Sequence, residues 1–101
     1  MQTSLKRIVY AVALVALSSC ANLNTEISKF KGRKIEDVVQ KLGYPEDKRE
    51  ILGKTIYKFV SGSKYGNHCD LDVIVDANDV ITSAQWNGTN GGCEKMAMRL
   101  Q

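Results

Sequence analysis

Residues 35–45 read Ile-Glu-Asp-Val-Val-Gln-Lys-Leu-Gly-Tyr-Pro, and the way this stretch ends decides the fold. Ile35, Val38, Val39 and Leu42 fall at i, i+3, i+4 and i+7, so they form one apolar stripe on a helix of two turns or more. Glu36 and Asp37 sit in the first turn and Lys41 in the last, which suits the helix dipole. Gly43 can take the left-handed position after the last turn, and Pro45 prevents the helix from continuing. Beyond Pro45 the apolar period changes from 3.6 residues to 2, which is the signature of strands.

Three strand segments follow that change. Residues 47–52 are a charged, weaker strand candidate, closed by a turn at Gly53-Lys54. Residues 55–61 alternate, with Tyr57 and Phe59 on one face and Ile56, Lys58 and Val60 on the other. After a Gly- and Ser-rich connection over 62–67, Cys69, Leu71, Val73 and Val75 alternate against Asp70, Asp72 and Ile74. Asp76-Ala77-Asn78-Asp79 is a turn, because Asp and Asn side chains satisfy nearby backbone and tolerate positive φ. A last strand over 80–86 places Val80, Thr82, Ala84 and Trp86 together, and the run 88–92 (Gly-Thr-Asn-Gly-Gly) breaks it. Residues 93–100 then align Cys93, Met96, Ala97 and Leu100 at helical spacing.

Upstream, residues 25–31 suggest a brief helix with Asn24 or Thr25 as cap and Ile27 and Phe30 facing inward. The fold class this predicts is α+β: two N-terminal helices packed on a three- to four-stranded antiparallel meander, with a short C-terminal helix. One sheet face is expected to bury Leu71, Val73, Val75, Tyr57, Phe59 and Trp86 against the Ile35 helix.

The first nineteen residues have a different character. Lys6 and Arg7 precede an uncharged apolar run from Ile8 to Leu17, the layout of a secretory signal. Ten apolar residues are half of what a helix needs to cross ~30 Å of hydrocarbon. The segment Leu17-Ser18-Ser19-Cys20 resembles the lipobox of bacterial lipoproteins, an aliphatic residue and two small ones before the cysteine that becomes the mature N-terminus. That resemblance implies cleavage before Cys20 and acylation of its thiol; the alternative is an ordinary signal peptide with a cysteine nearby. Several acyl chains, at roughly 0.8 kcal/mol per buried methylene, make such an anchor effectively permanent. Ala21 in place of Asp resembles the pattern sorted to the outer membrane in Gram-negative bacteria.

Charge and cysteines sharpen the reading. Of fourteen Lys and Arg, two belong to the leader, so residues 20–101 carry twelve cations against eleven acids, a net +1. A near-neutral domain has no electrostatic case for nucleic acid, which requires a dense basic face. With Cys20 given to lipid, Cys69 and Cys93 remain as an even pair in an oxidising compartment, favouring a disulfide over a metal or redox role. Such a bond stabilises a small domain by roughly 3 kcal/mol. A redox pair usually takes the Cys-x-x-Cys form, and His68 offers only one further zinc ligand. His68 therefore reads as a surface residue at the start of a strand, with no metal site and no cofactor expected.

Lys31-Gly32, Val38-x-x-x-Leu42-Gly43-x-Pro45, Ile56-Tyr57-Lys58-Phe59, Leu71-x-Val73-x-Val75-Asp76 and Val80-Ile81 together, behind a lipobox, resemble the SmpA/OmlA (BamE-like) family of small outer-membrane lipoproteins. The resemblance spans most of residues 30–88 and implies an α-α-β-β-β protein-binding sandwich. Arg33 and Lys34 stand where that family usually has Met-Thr, and Cys69 and the run from Trp86 to Cys93 look like a cysteine-bearing branch. The chain accordingly divides into a signal peptide (1–19), a lipidated tether with a possible short helix (20–31, free of structure to about Asn24) and a BamE-like α+β domain (32–101).

Several motifs invite chemistry and read more simply. Asp70 and Asp72 share a strand face as paired carboxylates do, without a nucleophile beside them, and read as a solvated face. Asp76-x-Asn78-Asp79 opens like a calcium loop but lacks the Gly and Glu that complete one. Asn87-Gly88-Thr89 is a sequon with little meaning in a bacterial lipoprotein. Tyr44 and Tyr65, in connections, are the expected exposed anchors for a partner. The sequence thus predicts a non-catalytic lipoprotein, held to the outer membrane on its periplasmic face by acylated Cys20 and binding an envelope or outer-membrane protein. An inhibitor or small-ligand binder using the 62–67 and 88–92 loops is the alternative.

Overall fold

A computed structural model describes residues 22–63 and 65–101. The architecture is α+β, with elements in the order α1 (Leu23–Ser28), α2 (Ile35–Leu42), β1 (Asp47–Ile51), β2 (Lys54–Gly62), β3 (His68–Val75), β4 (Ile81–Gly88) and α3 (Asn90–Leu100). The four strands form one antiparallel sheet in sequential order, β1-β2-β3-β4.

The alternation read in β3 is realised residue by residue. Cys69, Leu71, Val73 and Val75 are fully buried, while His68, Asp70, Asp72 and Ile74 are half-buried on the opposite face. Asp70 and Asp72 are thus less solvated than expected; one Asp72 carboxylate oxygen is buried without a hydrogen-bond partner. In β2, Phe59 is buried and Tyr57 packs at the core margin. Burying Leu or Val side chains contributes roughly 1.5–3 kcal/mol each, so this one face supplies much of the stability.

What covers that face differs from expectation. The helix lying across β2, β3 and β4 is α3, and α2 packs chiefly on α3. An amphipathic stripe shows that a helix buries one face but not against which neighbour. Cys93, Met96, Ala97 and Leu100 are each at most 3% exposed, which makes the last helix the centre of the core. Arg99 ties the two helices by donating from Nη2 to the Leu42 carbonyl at 2.8 Å, at the C-terminal end of α2. Gly43 follows with φ 87°, as the ending of the helix requires.

Helix α3 also begins earlier than expected. The Gly-rich run is not a loop: Thr89 caps a helix starting at Asn90, its hydroxyl accepting from the Gly92 amide at 3.2 Å. Upstream, α1 begins at Leu23 with Asn22 as cap, so residues 22–24 belong to the fold and not to a tether. Leu23, Ile27 and Phe30 join the core.

Two strand details depart from simple alternation. At the β1–β2 hairpin the turn residues are Leu52 and Gly53, both at positive φ (53° and 78°), one residue before the expected pair. In β4, Ser83 faces Ile74 and Ile81 faces Val75, leaving Thr82 as a bulge. The bulge turns Ile81 into the core in place of Val80 and Thr82. Trp86 is not core: it stands opposite Leu71 at the sheet edge and is 37% exposed.

Candidate functional site

The most closely built region is the junction of β3 with α3. The His68 amide donates to the Thr89 hydroxyl (3.1 Å) and the Thr89 amide returns a bond to the His68 carbonyl (2.9 Å). The Cys93 amide donates to the Thr89 carbonyl at 3.0 Å, completing the first turn of α3. This brings the helix start against the strand start with almost no clearance. A Cβ on Gly92 would lie 2.5 Å from the His68 carbonyl carbon and oxygen, and one on Gly88 would lie 2.3 Å from that oxygen. Cys69 and Cys93 are joined here in a disulfide, with Cα atoms 4.9 Å apart and both residues buried. Neither sulfur is therefore a free thiol. His68 is half-buried at the strand start, its Nδ1 3.4 Å from the Gly66 carbonyl oxygen.

The other candidates lie elsewhere. Asp76 Oδ1 accepts from the Asn78 amide (2.8 Å) and the Val80 amide (3.1 Å), so this carboxylate serves the β3–β4 turn. Lys34 Nζ closes the same turn on the Asn78 carbonyl. Among the described residues, no three His, Cys, Asp or Glu side chains are grouped to hold a metal ion. Asn87 is exposed on β4.

Tyr44 and Tyr65 are 93% and 94% exposed, Tyr44 in the α2–β1 connection and Tyr65 in the β2–β3 connection. They belong to separate connections and do not form one site by chain position. The hairpin tip adds Leu52, 98% exposed, which sequence reasoning passed over. Its one signal was Gly53 following an apolar residue, a turn pair that places that residue in solvent. Cys20, the expected lipidation site, lies outside the described residues, as do the leader and Ala21. Among the described residues no helix is long and apolar enough to cross a membrane, which says nothing of a β-barrel.

Two concavities border α1. One lies between α1 and β4, lined by Ile27, Ser28, Lys31, Ile81 and Ala84. A second is formed by Asn22, Leu23, Trp86, Asn90, Cys93 and Glu94, where the start of α1 meets the start of α3. The indole N–H of Trp86 donates to the side-chain oxygen of Asn24, which lines the first concavity. Comparison with protein-family models, with curated proteins and with solved structures returned no match.

Proposed function

We propose that this chain is a non-catalytic lipoprotein of the outer membrane. Acylated Cys20 anchors it there, and its periplasmic domain binds another envelope protein, in outer-membrane protein assembly or envelope integrity. The observation that carries this reading is the pairing of Cys69 with Cys93. A buried disulfide is the chemistry of an exported protein, and it leaves Cys20, behind Leu17-Ser18-Ser19, as the odd cysteine. The membership in the SmpA/OmlA family that this reading implies rests on the residues quoted above. Its support from architecture is general, an α+β domain with two N-terminal helices before an antiparallel meander.

Binding without catalysis fits the surface. Tyr44, an exposed aromatic in a short connection, has the character of an interface anchor, since aromatic side chains supply large contact area at small entropic cost. The charged edge strand β1, with Lys48, Arg49 and Glu50 exposed, is of the kind that discourages indiscriminate strand pairing. The second of the two loops behind the inhibitor alternative is largely the first turn of α3.

The test has two arms. Growth with labelled palmitate should mark the wild-type protein and leave Cys20→Ala unmarked and released from membranes. Crosslinking in intact cells followed by purification should recover a defined envelope protein, and recovery should fall with Tyr44→Ala. An unlabelled wild-type chain, or full membrane retention of Cys20→Ala, would refute the anchor. Unaltered recovery with Tyr44→Ala would remove Tyr44 from the interface.

A further inference from the structure

The geometry points to a membrane-facing surface on the folded domain: the concavity between the starts of α1 and α3, lined in part by Trp86, rests against the lipid headgroups. This inference rests on the proposed acylation of Cys20. It goes further by saying which side of the protein the lipid sees.

Chain length sets the contact. Asn22 is already part of the fold, as the N-cap of α1, whose Leu23 is 3% exposed in the core. Only Ala21 separates Asn22 from Cys20. Two residue steps of fully extended chain span at most about 7 Å. The headgroup layer on each side of a bilayer is of similar depth, roughly 5–8 Å. An acyl chain seated in hydrocarbon therefore leaves no slack for the domain to stand away from the surface, and the side bearing Asn22 must meet it.

That side has a fitting character. Asn22 lines the same concavity as Trp86, Asn90 and Glu94. Trp86 is exposed over about a third of its surface, with its indole N–H engaged by Asn24. An aromatic ring with one polar atom is the side chain that settles at the level of lipid headgroups. Two amides, Asn22 and Asn90, line it beside Leu23 and Trp86, with Glu94 the one ionisable group among the described residues lining it, so the contact is imposed by the covalent link and not by charge. Tyr44 lies towards the far end of α3. Arg99 holds the α2 terminus there, seven residues and about 10 Å along the helix from Gly92.

Trp86 is the only tryptophan in the chain, so its fluorescence reports this surface alone. The full-length protein, processed and acylated in a bacterial host, is reconstituted into vesicles of phosphatidylethanolamine and phosphatidylglycerol with or without a headgroup-nitroxide lipid. Trp86 emission is expected to fall about two-fold with the nitroxide, whose label sits in the headgroup layer. Inserting about ten Gly and Ser residues between Ala21 and Asn22, which adds roughly 16–19 Å of mean reach, should restore most of the emission. A Trp86→Phe, Tyr44→Trp variant moves the probe to the far end and should show little quenching. Unquenched Trp86 on a protein whose Cys20 is acylated by mass spectrometry would overturn the inference. Equal quenching at both positions, or quenching indifferent to the inserted spacer, would also overturn it. Absence of acylation at Cys20 would instead overturn the lipoprotein reading on which it stands.

Discussion

The two ends of the sheet are built on opposite principles. At one end β3 and α3 start side by side, locked by the disulfide and by backbone approaches so close that Gly92 and Gly88 have no room for a methyl group. At the other end the β1–β2 hairpin projects into solvent, while the β3–β4 turn is held by backbone bonds to residues 33–35. There Gly53 is needed for its positive φ, with nothing within 4 Å of the place a Cβ would occupy. The packed end is specified by space and the hairpin tip by backbone conformation. The difference teaches where a change should propagate: substitutions at the packed end displace the central helix, and those at the open end stay local.

The largest expected effect comes from removing the bond at the packed end. Replacing Cys69 and Cys93 together by Ala is expected to cost roughly 3 kcal/mol, read as a lower midpoint in urea, because the chain between them is no longer closed in the unfolded state. A loss below about 1 kcal/mol would mean the hydrogen bonds around Thr89 hold the junction unaided. Next, Gly92→Ala should destabilise by roughly 1–3 kcal/mol, since the new methyl meets His68 backbone, which cannot rotate away. Gly53→Ala at the open end should cost only about 1 kcal/mol, from backbone strain alone. Equal losses at the two glycines would break the contrast.

Leu52→Asn is expected to move stability the other way, by about 0.5–1 kcal/mol upward. Leucine at φ 53° is strained, whereas Asn-Gly is the preferred pair for such a turn. Thermal denaturation of the variant checks this, and a lower midpoint would show that Leu52 serves the folded state in some way its exposure hides. The smallest effect is expected from Tyr44→Ala, within ±0.5 kcal/mol in stability. Its consequence should appear only in partner recovery.

Much of this contrast was legible in the sequence. The alternation of β3 was readable because its two faces differ sharply in polarity, and a one-residue slip would exchange them. The disulfide was readable by arithmetic, since giving one of three cysteines to the expected lipidation leaves a pair. The start of α3 was not, because Gly91 and Gly92 weigh against a helix by propensity, and the reason for Gly92 is the nearness of His68, visible only in three dimensions. Trp86 was misplaced for a related cause. It keeps the expected face, opposite Leu71, but stands on the edge strand β4, where position in the sheet and not alternation leaves it exposed. The roles of α2 and α3 were exchanged because both carry good apolar stripes, and a stripe names no partner. Tyr44 and Tyr65 were legible as exposed positions from their connections.

Placing the central helix last in chain order has a consequence for synthesis. The meander from β1 to β4 uses neighbouring segments and can pair as it emerges, yet its apolar face remains open until Met96, Ala97 and Leu100 arrive. The chain therefore cannot complete its core until α3 has been made. Under the proposed export, such a delay would keep the nascent polypeptide threadable until the last turn of α3 can pack.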